Sequence, residues 1–357
     1  MYYGILHSQS RAMSCLIAFG VVIPVALVIP FCWIEWWDIR SRALRMGLVC
    51  LPSIMTFRCL ECLFGFTPAW VLVGTKNASR SGSLWLYVQR NGFILWPKLD
   101  SSGNRLLPAS LDSMWTEIKG YLLNLVIGAM AHSFMAPFNY APFLSGQEAT
   151  GIFVTYSIFQ LGNNFLTAVL VGHSLSLSMN GISLLMQTIG GCQTEAVTNQ
   201  PLFASKSPSD FWSNRWNKLI HTGIKQGVYK PVRFYSGSND LAVLVSFAVS
   251  GLFHEYVWLL MFRCNSHEDE NVPRLLRFGK SMLFFGWNGS LVLMEYAIGR
   301  ERWENFVRKY PKPLVTFAVV MMVLPVSHLF TGDMVAGGYF AHVKLYFPLF
   351  QIVQLRH

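Results

Sequence analysis

Charge is scarce in this sequence. Asp, Glu, Lys and Arg make up 13% of its 357 residues, roughly half of what a globular domain carries. With 53% of the residues hydrophobic, a water-soluble surface is excluded. Acids are scarcer than bases, 18 against 28, and the excess of +10 gathers in loops rather than in a tail. Such loops reflect membrane topology or an anionic ligand, and no nucleic-acid partner is expected. A disulfide framework is missing too, since the seven cysteines are odd in number and scattered mostly within apolar segments. Cys59-Leu-Glu-Cys62 has the spacing of a metal site, yet it sits in an apolar run without a second pair and reads as packing. Neither an internal repeat, nor a low-complexity tract, nor a linker divides the chain. A single domain over 1–357 is expected.

What the chain does have is long runs of nearly uncharged residues, and a bilayer core needs about 20 of them per helix. Ala12–Ile34, Met46–Val73 (interrupted by Arg58 and Glu61), Gly120–Gln147, Leu241–Phe262, Met282–Ile298 and Leu314–Phe330 are such runs. Ala149–Thr194 is long enough for two spans broken near Asn180-Gly181, and Met334–Val353 is a weaker last candidate. The fold expected is therefore all-α, a polytopic membrane protein of about eight or nine transmembrane helices. The first run is too long for a signal peptide, and Trp33, Trp36 and Trp37 follow it like an interfacial belt.

Two polar stretches interrupt the runs. Lys76–Lys119 interleaves Trp85, Tyr87, Phe93 and Trp96 with Arg80, Arg90 and Lys98, as in a surface-lying cap, and holds the sequon Asn77-Ala78-Ser79. Simple alternation of spans puts it opposite the equally basic Arg40–Arg45 loop, so either the second span is re-entrant or the count is off by one. Within Gln193–Arg233, Ser207-Pro208-Ser209-Asp210 reads as a capped helix start. An interfacial amphipathic helix of about four turns is expected there. At 100° per residue it sets Trp212, Trp216, Leu219 and Ile220 on one side and Asn214, Asn217 and His221 on the other. Gly227 and Pro231 mark its end.

The next run is apolar enough to span, but Ser246, Ser250 and His254 recur along it at four-residue steps. A polar stripe ending in a histidine suits a helix lining a hydrated cavity, because an ionisable group facing lipid is costly. His132, His173 and His328, also in spans, are read as packing residues. His254-Glu255 invites comparison with zinc proteases, whose signature needs a second histidine at position 258. That position is Trp, and no metal is expected.

Taken together, Ser207-Pro-Ser-Asp-Phe-Trp-Ser-Asn-Arg-Trp-Asn217, Val228-Tyr-Lys-Pro231 and Ser250-Gly-Leu-Phe-His-Glu255 resemble the core of the membrane-bound O-acyltransferase family, most closely its wax-synthase-like branch. The resemblance implies an acyl-CoA-dependent transfer onto a long-chain alcohol within a membrane tunnel of the endoplasmic reticulum. His254 corresponds to the family's catalytic histidine and Asn217 to its second polar active-site residue. Wax synthases often carry histidine at that second position, whereas asparagine resembles the sterol and diacylglycerol branches, so the acceptor alcohol stays open. Acetyl or acyl transfer to a terpenoid, sterol or diacylglycerol is the nearest alternative, and a non-catalytic lipid-binding or transport protein is the alternative from another class.

The residue types fit acyl transfer on their own. An imidazole with an ordinary pKa near 6.5 is well placed to accept a hydroxyl proton during attack on a thioester. Asn217 would orient that imidazole or donate to the oxyanion. Trp212, Arg215, Trp216, Lys225, Tyr229, Lys230, Arg233, Ser246 and Ser250 are the candidate substrate contacts. The basic members among them suit either CoA phosphates or a cytosolic loop. Acyl-CoA enters as co-substrate, a lipid alcohol and membrane lipids are the other partners, and no cofactor is expected. A serine intermediate at Ser250 stays open.

Overall fold

The computed structural model describes residues 10–68, 71, 95–101, 106–143, 157–262 and 278–343, and these form helices and turns with only isolated β-bridges. The helices α1 (Arg11–Trp36), α2 (Arg42–Leu63), α3 (Leu111–Met135), α4 (Ile158–Gly190) and α6 (Asn239–Met261) are joined by α5 (residues 218–236) and α7 (Lys280–Ile298). After them come α8 (Arg300–Lys309), α9 (Lys312–Val326), α10 (His328–Ala336) and α11 (Tyr339–Val343). Side-chain caps start many of them. Ser41, Ser110, Ser157 and Ser238 each accept from a backbone N–H of the first turn, serving donors that no helical carbonyl reaches.

Among the described residues five helices are long and apolar enough to cross a membrane, or six if the α9–α10 pair, bent by 58°, is one span. Eight or nine were expected, and the difference has identifiable causes. Ile158–Gly190 is one helix of 33 residues, unbroken at Asn180-Gly181. Gly181 there serves close packing, with Tyr121 of α3 against it, and a lone glycine costs a helix only about 1 kcal/mol. Leu314–Phe330 is divided at Ser327, after the Leu324–Val326 turn. Half of Met334–Val353, from residue 344 on, lies outside the described residues, as do the sequon at 77–79 and about half of the expected surface cap. The tail of that stretch, from Leu111 on, is the start of α3.

Two antiparallel pairs frame the molecule. α3 and α4 meet through Ser113–Gln187 and the approach of Gly120 to Asn180. α6 and α7 meet where both backbones are bare: a Cβ on Gly251 would lie 2.7 Å from the sulfur of Met282, and one on Gly289 3.1 Å from Phe247. Small residues are what allow helices to approach so closely in a membrane. The charges interrupting α2 are neutralised locally, Arg58 pairing with Glu61 at 3.6 Å and lying over the Trp96 ring at 4.2 Å. Cys59 and Cys62 are buried against Ala18, Val22 and Val71.

The stretch after Ser207 departs most from expectation. The Ser207 cap is present, with Oγ accepting from Asp210 N–H at 3.0 Å, but a π-turn, Phe211–Arg215, follows within one turn. Trp216 is then extended, and Asn217 sits at φ 31°, in the left-handed region. No four-turn amphipathic helix forms. The broken backbone is held by partners distant in sequence: Asn199 N–H donates to Arg215 O at 2.9 Å and Lys218 N–H to Val197 O at 2.8 Å. A fresh helix begins at Lys218 and runs past Gly227 and Pro231 to Gly237, whose φ of 70° ends it. Asymmetry between a polar and an aromatic face appears instead on α8, which is exposed and carries Trp303, Phe306 and Tyr310 toward one side.

Candidate active site

A cavity of about 320 Å³ opens between the broken segment, α5, α6 and α7. Two π-turns, Phe211–Arg215 and Lys225–Tyr229, form its wall, in keeping with the frequency of such turns at functional sites. The structure brings His254, Asn217, Trp212, Trp216, Lys225, Tyr229, Ser246 and Ser250 to this one space. Trp212 and Asn217, assigned to opposite faces by a regular helical wheel, line it together.

His254 is aimed by its neighbours. Its Nδ1 lies 2.7 Å from the backbone carbonyl of Ser250. A carbonyl only accepts, so Nδ1 carries the proton and Nε2 keeps its lone pair. The Phe285 ring stacks on the imidazole at 4.7 Å and 23°, while Phe330 stands edge-on at 4.9 Å. The contact to position 250 is through the backbone, and the polar stripe supplies orientation. Asn217 caps the helix at Lys218, Oδ1 accepting from Ile220 N–H at 3.3 Å. With Oδ1 so engaged, the amide still has two N–H donors to offer. Trp212 is fixed by a hydrogen bond from Nε1 to the buried Asn288 of α7 at 3.1 Å.

Three of the basic candidates lie elsewhere. Arg215 donates to Asp210 at 2.6 Å and to Asn199 O at 3.2 Å, and does not line the cavity. Burial would raise the Asp210 carboxyl, but Arg215, the Asn214 amide and Lys206 N–H outweigh it and hold that carboxyl below the ordinary range. Lys230 is turned toward α2, within the field of Glu61, and Arg233 is exposed on the last turn of α5. Lys225 alone of the predicted basic contacts stands at the cavity rim.

Sequence reasoning missed His221, Asn214, Phe285 and Tyr296, which also line the space. Burial, with Lys225 and Lys218 nearby, pushes His221 down to about 4, so it is a neutral imidazole at pH 7. Its position one turn after Asn217 was the available signal. Among the described residues no group of three or more His, Cys, Asp or Glu is arranged to hold a metal.

Residues 195–286, which contain this cavity's principal residues, match the family model of the membrane bound O-acyl transferase family. Over this segment, about a quarter of its length, the chain is similar to that family. The sequence is also similar to a probable long-chain-alcohol O-fatty-acyltransferase 9 of Arabidopsis thaliana, 31% identical over 187 residues, 49% of this chain and 46% of that one. A probable long-chain-alcohol O-fatty-acyltransferase 7 of the same plant is 29% identical over 174 residues, 46% and 47% of the two chains. A third, numbered 1, is 31% identical over 129 residues, 34% of each. The matched region spans about half the length or less of these curated relatives.

Proposed function

We propose that the protein transfers a fatty acyl group from acyl-CoA to a long-chain alcohol, in the endoplasmic reticulum membrane. The observation that carries this reading is the shared cavity of His254 and Asn217 inside the family-matched segment. The alcohol proton passes to His254 Nε2 as the oxygen attacks the thioester carbonyl. The Asn217 NH₂ group donates to the oxyanion as it forms, a role typically worth about 3–4 kcal/mol. Collapse expels the CoA thiolate, which takes the proton back from Nε2 and leaves ester and free thiol. Lys225, at the rim, offers a cation to the CoA phosphates.

The volume of about 320 Å³ is at the lower end for ligand sites. It suits the reacting thioester and hydroxyl, with the long chains extending beyond it into the apolar surroundings. The names of the relatives favour a long-chain alcohol, and Asn217 is the reason to include sterols and diacylglycerol in the trial. Purified protein incubated with labelled acyl-CoA and such a panel should form ester, chiefly with long-chain alcohols. His254→Ala should remain folded and form it at least about 100-fold more slowly. Ester formation by no alcohol would overturn the proposal in favour of a lipid-binding or transport role, and near wild-type turnover in His254→Ala would remove His254 as base.

A further inference from the structure

The residue after the candidate base has a job that the acyl-transfer scheme leaves unused. Glu255 is 5% exposed, and its Oε1 accepts from Ser281 N–H at 2.8 Å and from Met282 N–H at 3.3 Å. These donors belong to the first turn of α7, which no helical carbonyl can reach. The cap residue there is Gly279, at φ 93°, and offers no side chain to them. A carboxylate from α6 therefore caps α7 from outside.

This cap fixes the height of α7 against α6. One turn beyond Ser281 stands Phe285, whose ring sets the plane of the His254 imidazole at 4.7 Å. The approach of Met282 to Gly251 leaves little room for α7 to slide. On the other side, Lys280 Nζ pairs with Asp333 Oδ1 of α10 at 3.0 Å, and one turn before Asp333 stands Phe330, edge-on to the same imidazole. Glu255 and its neighbour Lys280 thus join the three helices that supply His254 and the two rings around it.

We propose that Glu255 is a positioning residue, which through the Ser281 and Met282 amides sets Phe285 against His254 and so aims Nε2. The proposal rests on the reading of His254 as the base. Reach and charge can be separated. Glu255→Gln keeps an acceptor oxygen at the same distance without the charge, and Glu255→Asp keeps the charge but is one methylene short.

In purified full-length protein, Glu255→Gln should keep kcat within about three-fold, whereas Glu255→Asp should lose about 10- to 100-fold in kcat at unchanged KM for acyl-CoA, the scale of a misplacement of about 1 Å. Rates are taken per folded molecule, from the monodisperse fraction. Phe285→Leu leaves the cap intact and removes the stacked ring, and it should lower kcat in the same way. Equal kcat in wild type and Glu255→Asp, loss in Glu255→Gln as large as in Glu255→Asp, or a wild-type kcat in Phe285→Leu would each overturn the proposal. Hydrogen exchange at the Ser281 and Met282 amides reads the cap without turnover. Protection should persist in Glu255→Gln and fall in Glu255→Asp, and equal protection in both would overturn the cap even if a wild-type protein inactive on every alcohol had already removed the acyltransferase reading.

Discussion

Asn217 is at once a helix cap and part of the cavity wall. Its Oδ1 caps a helix from a left-handed backbone position, and the residue lines the space that holds His254. Asn and Asp are nearly equal as helix caps, and both tolerate φ above zero better than other side chains. Asn217→Asp should therefore leave the thermal midpoint almost unchanged while lowering ester formation by about 10²–10³-fold, the usual cost of an oxyanion donor. Thermal unfolding and initial rates on the same sample check this, and a variant that unfolds early but turns over normally would reduce Asn217 to a cap. That His254 and Asn217 would line one cavity was legible in the sequence because each sits in a short pattern with few meanings. Phe285 and Tyr296 were not, since aromatic residues in an apolar helix carry no mark of which cavity they will face.

At the scale of elements, the cap at Ser207 was legible and the structure after it was not. A regular helix sets positions five apart at about 140° from one another, and on that basis Trp212 and Asn217 were parted. A π-turn closes i→i+5 hydrogen bonds instead. Asp210 thereby meets Arg215 at 2.6 Å, which removes Arg215 from the list of free cations. The break at Trp216 depends on strand-like contacts with residues 197–199, and those are invisible to local periodicity. Gly227 was read as a helix end, whereas its use is proximity: a Cβ there would lie 2.7 Å from the Phe57 carbonyl oxygen of α2. Gly227→Ala should destabilise the protein by about 1–3 kcal/mol, as overpacking does, despite the better helix propensity of alanine. A raised unfolding midpoint would show that α2 and α5 can part without cost.

For the whole molecule, eight or nine spans were expected and the described residues hold five or six, because hydropathy read along a sequence sees length and composition but neither bends nor continuity. It also does not see buried charge. Lys280 and Asp333 are 7% and 5% exposed and tie α7 to α10. Lys280→Met alone leaves the Asp333 carboxylate buried without its ammonium and should cost about 3–5 kcal/mol, whereas the Lys280→Met, Asp333→Leu double variant should return to near wild-type stability. Unfolding of the three proteins in one detergent decides it, and a double variant as unstable as the single one would mean that the pair does more than neutralise itself. α4 has a different bearing on the membrane. Its 33 residues amount to about 50 Å at 1.5 Å per residue, against roughly 30 Å of hydrocarbon. An ordinary tilt of about 20° absorbs only a small part of that excess. Polar side chains sit toward both ends, Gln160, Asn163 and Asn164 near the start and Ser183 and Gln187 near the finish, so either end suits the excess that stands clear of the lipid. Midway along the same helix Gly172 lies against Trp216 of the cavity wall. A bilayer of different thickness should change the lean of α4 and with it the surface on which that tryptophan rests, so ester formation in vesicles of short-chain and long-chain lipid is expected to differ, and equal rates in both would show that the cavity is insulated from the membrane.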